Sequence, residues 1–461
     1  MDDLRKGLER AVDLIVAYRE ALSTARVGPA ATRGEVLASL QTSLPEAPAS
    51  LDDVISELIS KAEPGLMSSA GPRYFGLVVG GSLDAALVAD LLVSGWDQIA
   101  LNEATSPASI AFEDAAGSWL KQLFGIPESA SVGFVTGAQG ANTVGLTAGR
   151  WKVLHQHGWD VGRDGLIGAP PLRVLAGAER HATIDRSLRL LGLGDSAVEE
   201  VPVRPDGAMD AGALGAALAA QPPGPMIVCA QAGNVNTGAF DDLRSVANAA
   251  REHGAWVHVD GAFGLWAAAS PSKRHLVDGI ELADSWGCDG HKWLNVPYDS
   301  GYAFCADPEV HATAMEYTAS YLTGQVAGRV FGGGDFVLEA SRRARGFATW
   351  AALRSLGRSG VVNLVDRCCD LALRFAAGLD DIEGVEVVNE VVLNQVLVRL
   401  GDAETTDRVA RQIQHDGTAW IGATTWRGER LLRISVSNWS TTEDDVDLSI
   451  AAIDKARQEV A

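Results

Sequence analysis

The chain has 461 residues, of which 47% are hydrophobic and 21% are charged, and its formal net charge at pH 7 is −21. This composition is typical of a globular protein with an ample core, and the length predicts about three domains, or one large α/β domain with smaller additions. The acidic balance argues against nucleic acid and anionic membranes as partners, because both require basic patches.

The cysteines indicate a reducing compartment. They are Cys229, Cys288, Cys305, Cys368 and Cys369. Their number is odd and they form no C-x-x-C pair or zinc-ligand spacing, so we expect free thiols, a cytoplasmic protein and no metal site. The charged, amphipathic N-terminal residues do not resemble a signal peptide. Glycines and aspartates interrupt the most apolar stretch, Tyr74 to Val93, so no membrane span is expected.

The N-terminal segment, residues 1–72, is predicted to be helical. Apolar residues recur at a helical period over residues 3–22, and a second helix is expected over Leu51 to Ala62 with Ser50 as its N-cap. A segment this short cannot bury a core of its own. We therefore expect it to pack on another surface, namely that of a partner subunit.

Residues 73–345 alternate between short apolar runs and amphipathic helices. Buried strands are predicted at residues 173–177, 225–230, 255–260 and 300–305. A helix between two of them runs from Leu243 to His253–Gly254, a typical C-terminal signal. This alternation predicts an α/β fold with a mostly parallel sheet, whose ligands bind at the carboxyl ends of the strands.

Residues 346–461 have a different pattern and predict a small C-terminal α+β domain. Strands are expected within residues 385–400 and 419–438, the latter folded back at a turn over Trp426–Glu429. Helices are expected over residues 405–414 and 442–459.

Two features at predicted strand ends suit an anionic cofactor with a flat ring. The small residues from Thr136 to Asn142 precede a helix, and their amides could bind a phosphate, although a plain tight turn is the alternative. Asp260 ends a strand and is followed by Gly261-Ala262. A carboxylate there could keep a pyridine nitrogen protonated beside small neighbours, although helix-capping aspartates are common.

Two further residues add an aromatic contact and an amine. His181 follows the strand at 173–177 and could stack on a ring, or could be an ordinary structural histidine. Lys292 lies between His291 and Trp293. Burial of its ammonium without a partner would be costly, so Lys292 is either a salt-bridged structural residue or a nucleophilic amine. An amine, an acid and an anion site are the groups that pyridoxal phosphate (PLP) requires.

The chain resembles the group II PLP-dependent amino-acid decarboxylases, the family of the aromatic-L-amino-acid and glutamate decarboxylases. The resemblance rests chiefly on Asp260-Gly-Ala-Phe-Gly264 and Asp289-Gly-His-Lys-Trp293. Further matching segments are Pro72–Gly76, Ser106–Pro107, the Thr136 loop, Asn236–Gly238 and Ser341–Arg345. The resemblance implies PLP-dependent transferase fold type I, with a seven-stranded type of sheet, and an obligate homodimer with composite active sites.

The same resemblance implies roles for individual residues. Lys292 would bind PLP covalently, Asp260 would pair with the pyridine nitrogen and His181 would stack on the ring. The remaining implied cofactor contacts are Ala138, Gln139 and His291 around the phosphate, with Asn234 and Ala262 nearby. In these decarboxylases a tyrosine on a loop after the lysine returns a proton to the α-carbon, and Tyr321 lies at the matching interval. Phenylalanine there would favour an oxidative aldehyde synthase.

Some positions depart from the family pattern and leave the substrate open. Gly233-Asn234-Val235 replaces a Gly-Thr-Thr segment, and Gln139 and Gly140 replace a small hydroxyl residue and an acidic residue or methionine. Gly290 stands where proline is more usual. Tyr74, Phe75, Leu77 and Trp96 match the segment that lines the substrate pocket in relatives, which favours an apolar or aromatic amino acid.

The sequence thus predicts a PLP-dependent carboxy-lyase that converts an L-amino acid to its amine and CO2. An aminotransferase or carbon–carbon lyase is a rival on the same scaffold, because Arg433 could bind an α-carboxylate. Such an ion pair would stabilise the ground state and benefit a decarboxylase less. A degenerate PLP-binding protein without activity is the third alternative.

Overall fold

The computed structural model describes residues 2–40, 43–220, 223–316 and 332–460. The helices are α1 Asp2–Ala21, α2 Arg33–Ser39, α3 Leu51–Ala62, α4 Asp84–Trp96, α5 Pro107–Phe124, α6 Ala138–Gln156, α7 Val161–Asp164, α8 Ala182–Leu190, α9 Ala211–Ala219, α10 Leu243–Glu252, α11 Pro308–Ala314, α12 Gly346–Asp380, α13 Ala403–Asp416 and α14 Glu443–Val460. The strands are β1 Ser131–Val135, β2 Arg173–Gly177, β3 Val198–Val201, β4 Met226–Gln231, β5 Trp256–Asp260, β6 Ser285–Asp289, β7 Gly301–Cys305, β8 Glu386–Val387, β9 Gln395–Arg399, β10 Gly422–Trp426 and β11 Glu429–Ser435.

A seven-stranded sheet in the order β1-β7-β6-β5-β4-β2-β3 forms the centre of the fold. The run β3-β2-β4-β5-β6 is parallel, whereas β7 pairs antiparallel with both β6 and β1. The strands β5, β6 and β7 are buried along their whole length, and for β5 and β7 this agrees with the continuous apolar runs of the sequence. The expected α/β fold of type I with a mostly parallel sheet is confirmed.

Strand β6 was not expected from the sequence. Its five residues, Ser285-Trp-Gly-Cys-Asp289, mix polar, small and aromatic side chains, so neither alternation nor an apolar run marks them as a strand. All five are nevertheless buried, because β6 lies between β5 and β7 inside the sheet. The polar side chains at its two ends, Ser285 and Asp289, are both hydrogen-bonded.

The chain divides into two compact units. The larger contains Gly80–Leu373 and Asn389–Val396, and the smaller contains Met1–Val79, Arg374–Val388 and Leu397–Ala461. The N-terminal residues thus group with the C-terminal ones, and the divisions fall at residues 79 and 373 rather than at the expected 72 and 345. A four-stranded sheet, β10-β11-β9-β8, accompanies α13 and α14, and β10 and β11 form the expected hairpin.

The N-terminal helices end and begin close to the predicted residues. Helix α1 spans Asp2–Ala21, and Ser50 caps α3 by accepting a hydrogen bond from the Asp53 amide. Arg10 ties the two helices together through Asp52, at 2.6 Å. Among the described helices, none has the length and apolar character needed to cross a bilayer.

Candidate active site

The carboxyl ends of β5 and β6 place two aspartates at the same edge of the central sheet. Asp260 ends β5 and Asp289 ends β6, and Asp260 lies opposite Gly287 in the parallel ladder. Ala262 connects them, since its amide donates to Asp260 Oδ1 at 3.2 Å and its carbonyl accepts the Asp289 amide at 2.9 Å. Both carboxylates are almost completely buried. Each therefore requires partners within the fold.

The partners of Asp289 are a lysine ammonium, a helix terminus and a histidine. Lys292 Nζ lies 2.9 Å from Asp289 Oδ2. The amide of Ala138, the first residue of the long helix α6, donates to Asp289 Oδ1 at 2.5 Å, and His291 Nε2 lies 3.4 Å from the same oxygen. The predicted anion loop and the predicted lysine segment therefore meet at one carboxylate.

Close packing at this junction explains the glycine at the start of the loop. A Cβ on Gly137 would lie 2.9 Å from His291 Cε1 and 3.0 Å from Asp289 Oδ1. A Cβ on Gly290 would lie 2.3 Å from the Tyr302 hydroxyl. The glycine found here in place of the usual proline therefore accommodates a buried tyrosine beneath the lysine segment.

His181 and Asp260 are connected through Thr183. The N-cap of α8 is His181, whose Nδ1 accepts the Thr183 amide at 3.3 Å and lies 2.9 Å from the Thr183 hydroxyl. The same hydroxyl donates to Asp260 Oδ2 at 3.4 Å. The histidine expected to stack on a ring and the acid expected to hold its nitrogen thus share one threonine.

The other predicted contact residues differ in how available their side chains are. The Gln139 amide group donates to Ser187 Oγ at 2.9 Å, so its backbone N–H is the group left to face an anion at the start of α6. The side-chain oxygen Oδ1 of Asn234 accepts hydrogen bonds from the backbone amides of Asn236 and Thr237, and these bonds stabilise the turn that contains Asn234. Asn234 Nδ2 donates to Glu179.

Burial decides the protonation of the histidine and the thiol beside the lysine. Desolvation lowers the pKa of His291, although Asp289 opposes this effect, so its ring is neutral at pH 7. His291 Nδ1 accepts the Ser300 amide at 3.2 Å, which leaves the proton of a neutral ring on Nε2, toward Asp289. Burial raises the pKa of the Cys288 thiol well above its usual value, so Cys288 stays an unreactive thiol.

The donor set fits PLP. The amine of Lys292 is partly exposed, with 21% of its side chain accessible, so it is available to an aldehyde. Asp260 is a buried carboxylate that could accept a hydrogen bond from a protonated ring nitrogen. The Gln139 amide at the start of α6 offers a donor to a phosphate, beside the N–H groups of Ala138 and His291, which face Asp289. The described residues contain no cluster of three or more His, Cys, Asp or Glu side chains suited to a metal ion.

Two further predictions concern Tyr321 and Arg433. Tyr321 falls outside the described residues. Arg433 lies in β11 of the smaller unit, where its guanidinium donates to the Leu77 carbonyl at 3.3 Å and burial lowers its pKa.

The expected pocket residues differ in exposure. Tyr74 stacks on Trp420 and Phe75 packs edge-on against Phe375, so both are buried. Leu77 and Trp96 are exposed.

Sequence reasoning missed the polar residues that lie behind the site. Asn142 Nδ2 donates to Thr183 Oγ1 at 3.1 Å, and His258 Nε2 lies 3.0 Å from Asn142 Oδ1. One feature of the sequence could have indicated these residues, namely a histidine, His258, two positions before Asp260 on a strand that is otherwise apolar. Residues two apart on a strand face the same side, so His258 had to be buried beneath Asp260 and to have a polar partner.

Comparison with known proteins agrees with this chemistry. Residues 34–401 match the family model described as the pyridoxal-dependent decarboxylase conserved domain. Tryptophan decarboxylase 1 of Oryza sativa subsp. japonica is 28% identical, over 100% of this chain and 94% of the relative. The 4-hydroxyphenylacetaldehyde synthase of Rhodiola rosea is 25% identical, over 97% and 93%. The crystal structure of Oryza sativa TDC with PLP and tryptamine superposes with a TM-score of 0.92, at 27% identity over 100% of this chain and 98% of that one.

Proposed function

The chain belongs to the pyridoxal-dependent decarboxylase family and uses PLP, and from this premise we propose that it converts an aromatic L-amino acid to the corresponding amine and CO2. One observation carries the assignment of the site. The Asp289 carboxylate brings together the Lys292 ammonium, the Ala138 amide at the start of α6 and His291, directly beside the strand end that bears Asp260. Bound PLP would supply a sink for the electron pair that remains on the α-carbon when the carboxylate departs as CO2.

The chain's own residues divide the work of binding and orienting. Lys292 provides the amine that holds the cofactor covalently, and Asp289 fixes the position of that amine at 2.9 Å. Asp260 would keep the proton on the pyridine nitrogen, and His181 would pack against the ring. The backbone amide of Gln139 would bind the phosphate, with Ala138 and His291 beside it, while Ala262 would leave room beside the ring because it is small.

A proton must return to the α-carbon after CO2 leaves. We assign this step to Tyr321, whose phenol can donate a proton. Water must also be excluded from the site at this step. Exclusion of water protects the reactive carbon from side reactions.

The relatives favour an aromatic side chain for the substrate. Tryptophan decarboxylase and 4-hydroxyphenylacetaldehyde synthase are both named for aromatic compounds, and tryptamine is bound in the rice structure. Within this chain, the buried ring of Phe263 lies 5.9 Å from Lys292 Nζ, so the surroundings of the amine are partly aromatic. The substrate ammonium and carboxylate would then lie near Lys292, with the side chain among apolar groups.

We further propose a cytoplasmic homodimer with composite active sites. No residue of α1 between Asp2 and Ala21 is buried, and Leu4, Leu8 and Val12 have 49–58% of their surface exposed. Val54 and Leu58 of α3 are similarly exposed. Apolar surface of this kind is typical of an interface between subunits. The five cysteines are free and buried, which suits a reducing compartment.

The purified protein, saturated with PLP, should be incubated with each of the twenty common L-amino acids, and amine and CO2 should be quantified. The proposal predicts that L-tryptophan, L-tyrosine or L-phenylalanine gives equal amounts of amine and CO2. A keto acid without CO2 would indicate transamination and would overturn the proposal. An aldehyde with CO2 would instead place the chain with the aldehyde synthases.

A further inference from the structure

A line of hydrogen bonds within the larger unit ends at the candidate site, and its first three bonds are buried while the two at Thr183 are partly buried. Its members, which we call the polar chain, are Trp256, Ser285, His258, Asn142 and Thr183, followed by Asp260. They come from β5, β6, α6 and α8. The successive distances are 2.9, 2.9, 3.0, 3.1 and 3.4 Å. His258, Ser285 and Asn142 are completely buried.

The donor and acceptor groups of its members determine the direction of donation along the polar chain. The indole of Trp256 can only donate, so Ser285 Oγ accepts from it. Asn142 Nδ2 donates to Thr183, so Asn142 Oδ1 must accept from His258 Nε2–H. A neutral imidazole has one donor and one acceptor, so His258 Nδ1 accepts the Ser285 hydroxyl proton.

His258 is neutral because of where it lies. Burial lowers its pKa to about 4, although the negative charge of Asp260 acts in the opposite direction. Every proton of the polar chain therefore points toward Thr183, and the hydroxyl of Thr183 accepts from Asn142.

Thr183 is the branch point of these hydrogen bonds. Its hydroxyl has a single proton and lies between His181 Nδ1 at 2.9 Å and Asp260 Oδ2 at 3.4 Å. Asn142 occupies one of the hydroxyl's lone pairs, and these two groups are the acceptors that lie within reach of its proton. Its position therefore restricts both the histidine and the carboxylate.

We infer that Thr183 is a positioning residue for the cofactor, held by Asn142 and His258, that aligns the Asp260 carboxylate and the His181 ring with each other. This inference rests on the proposed roles of Asp260 and His181. A partly buried threonine that only filled space would not need a line of five hydrogen bonds, since each buried polar group in that line costs free energy to desolvate. Groups that orient the residues in direct contact with a cofactor commonly contribute as much as some of those residues do.

The test compares variants of Thr183 in the full-length enzyme. Thr183→Val keeps the shape and removes the hydroxyl, and we expect the dissociation constant of PLP to rise about tenfold and kcat to fall about tenfold, with KM for the amino acid within about twofold of the wild type. Thr183→Ser restores the hydroxyl and should return both quantities to within about twofold of the wild type.

Thr147→Val is the matched control. Thr147 is a buried threonine of α6 whose hydroxyl donates to the Thr143 carbonyl at 2.6 Å, outside the polar chain. Its replacement should leave PLP affinity unchanged. Equal losses in Thr183→Val and Thr147→Val, or no loss in Thr183→Val, would overturn the inference.

A double-mutant cycle tests whether the polar chain acts as a unit. If Asn142 acts through Thr183, the double variant Asn142→Ala/Thr183→Val should bind PLP no more weakly than Thr183→Val alone. Effects of the two substitutions that multiply independently would contradict this coupling.

Asp260→Ala separates a failure of the inference about Thr183 from a failure of the proposed role of Asp260. If Asp260→Ala retains wild-type PLP affinity, the proposed role of Asp260 fails, whereas a severe loss there with a normal Thr183→Val overturns only the inference.

Discussion

The edge of the central sheet and the N-terminal helices differ in how they accommodate unfavourable groups. These groups are buried charges at the sheet edge and exposed apolar side chains on the helices. At the sheet edge the buried charges of Asp260 and Asp289 have partners within the same unit. On α1, apolar side chains such as Leu8 and Val12 remain exposed in the single chain. The polar groups of the proposed site are thus paired within one chain, whereas the apolar surface of α1 stays exposed and is the surface that we propose a partner subunit covers.

The first prediction tests whether the sheet edge depends on its lysine. Lys292→Ala removes the amine that holds the cofactor, and we expect kcat/KM to fall by about a thousandfold or more. Decarboxylation of the best substrate measures the loss. Lys152→Ala is the control, because Lys152 lies 3.7 Å from Asp307 and outside the site. Comparable activity in both variants would contradict the assignment.

The second prediction tests the opposite region. Leu8→Glu with Val12→Glu places two charges on the exposed apolar side of α1, and the dimer should dissociate at least about a hundredfold more readily, since burial of each such side chain contributes about 1.5–3 kcal/mol. Sedimentation velocity over a range of concentrations measures the change. Glu9→Gln, on the same helix, should leave the dimer intact. An unchanged association in the double variant would place the interface elsewhere.

The third prediction concerns the buried polar groups beneath the site. The pKa of His258 is lowered to about 4 in the folded chain, so between pH 6.5 and about 4 the unfolded chain binds a proton there and the folded chain does not. The contribution of His258 to the free energy of unfolding of the wild type is therefore fully present above pH 6.5, and it declines as the pH falls below that value.

The matching variant is His258→Asn, which removes the titrating group. It should be less stable than the wild type at pH 7.5, and the gap should narrow by about 2 kcal/mol at pH 4.5. Urea unfolding at the two pH values measures the gap. A constant gap would show that His258 titrates similarly in the folded and unfolded chains.

The fourth and smallest prediction concerns the charge at Asp289. Its carboxylate accepts the Ala138 amide and lies 2.9 Å from Lys292 Nζ, so loss of its charge weakens the contact that fixes the amine. Asp289→Asn should therefore weaken PLP binding by about fivefold, measured by equilibrium titration. Asp278→Asn, which breaks a surface pair with Arg244, should have no effect. Unchanged or tighter binding in Asp289→Asn would contradict the role of Asp289 in holding Lys292.

The sequence predicted the parts of the site that lie on short motifs. Lys292, Asp260 and His181 follow strands or turns with recognisable local patterns, and the expected strands at 173–177 and 255–260 are present nearly residue for residue. Strand β6 was not predicted because its composition carries no periodic signal. The hydrogen bond between Asp289 and Ala138 was not predicted because it joins residues 151 positions apart.

The partners of Thr183 illustrate the same limit. Local sequence indicates that a threonine follows a histidine at the start of a helix, but not that its hydroxyl meets Asn142 and Asp260. Those contacts depend on how α6 and α8 pack beside β5. Such packing follows from the whole core rather than from any short segment.

The most direct test of the account is to identify the lysine that holds the cofactor. The PLP-saturated protein should be reduced with borohydride and digested, and the peptide that carries the pyridoxyl group should be sequenced by mass spectrometry. The account predicts the modification on Lys292, within the segment that follows β6. A pyridoxyl group on any other lysine, or none, would contradict the claim that the edge of the central sheet is the active site.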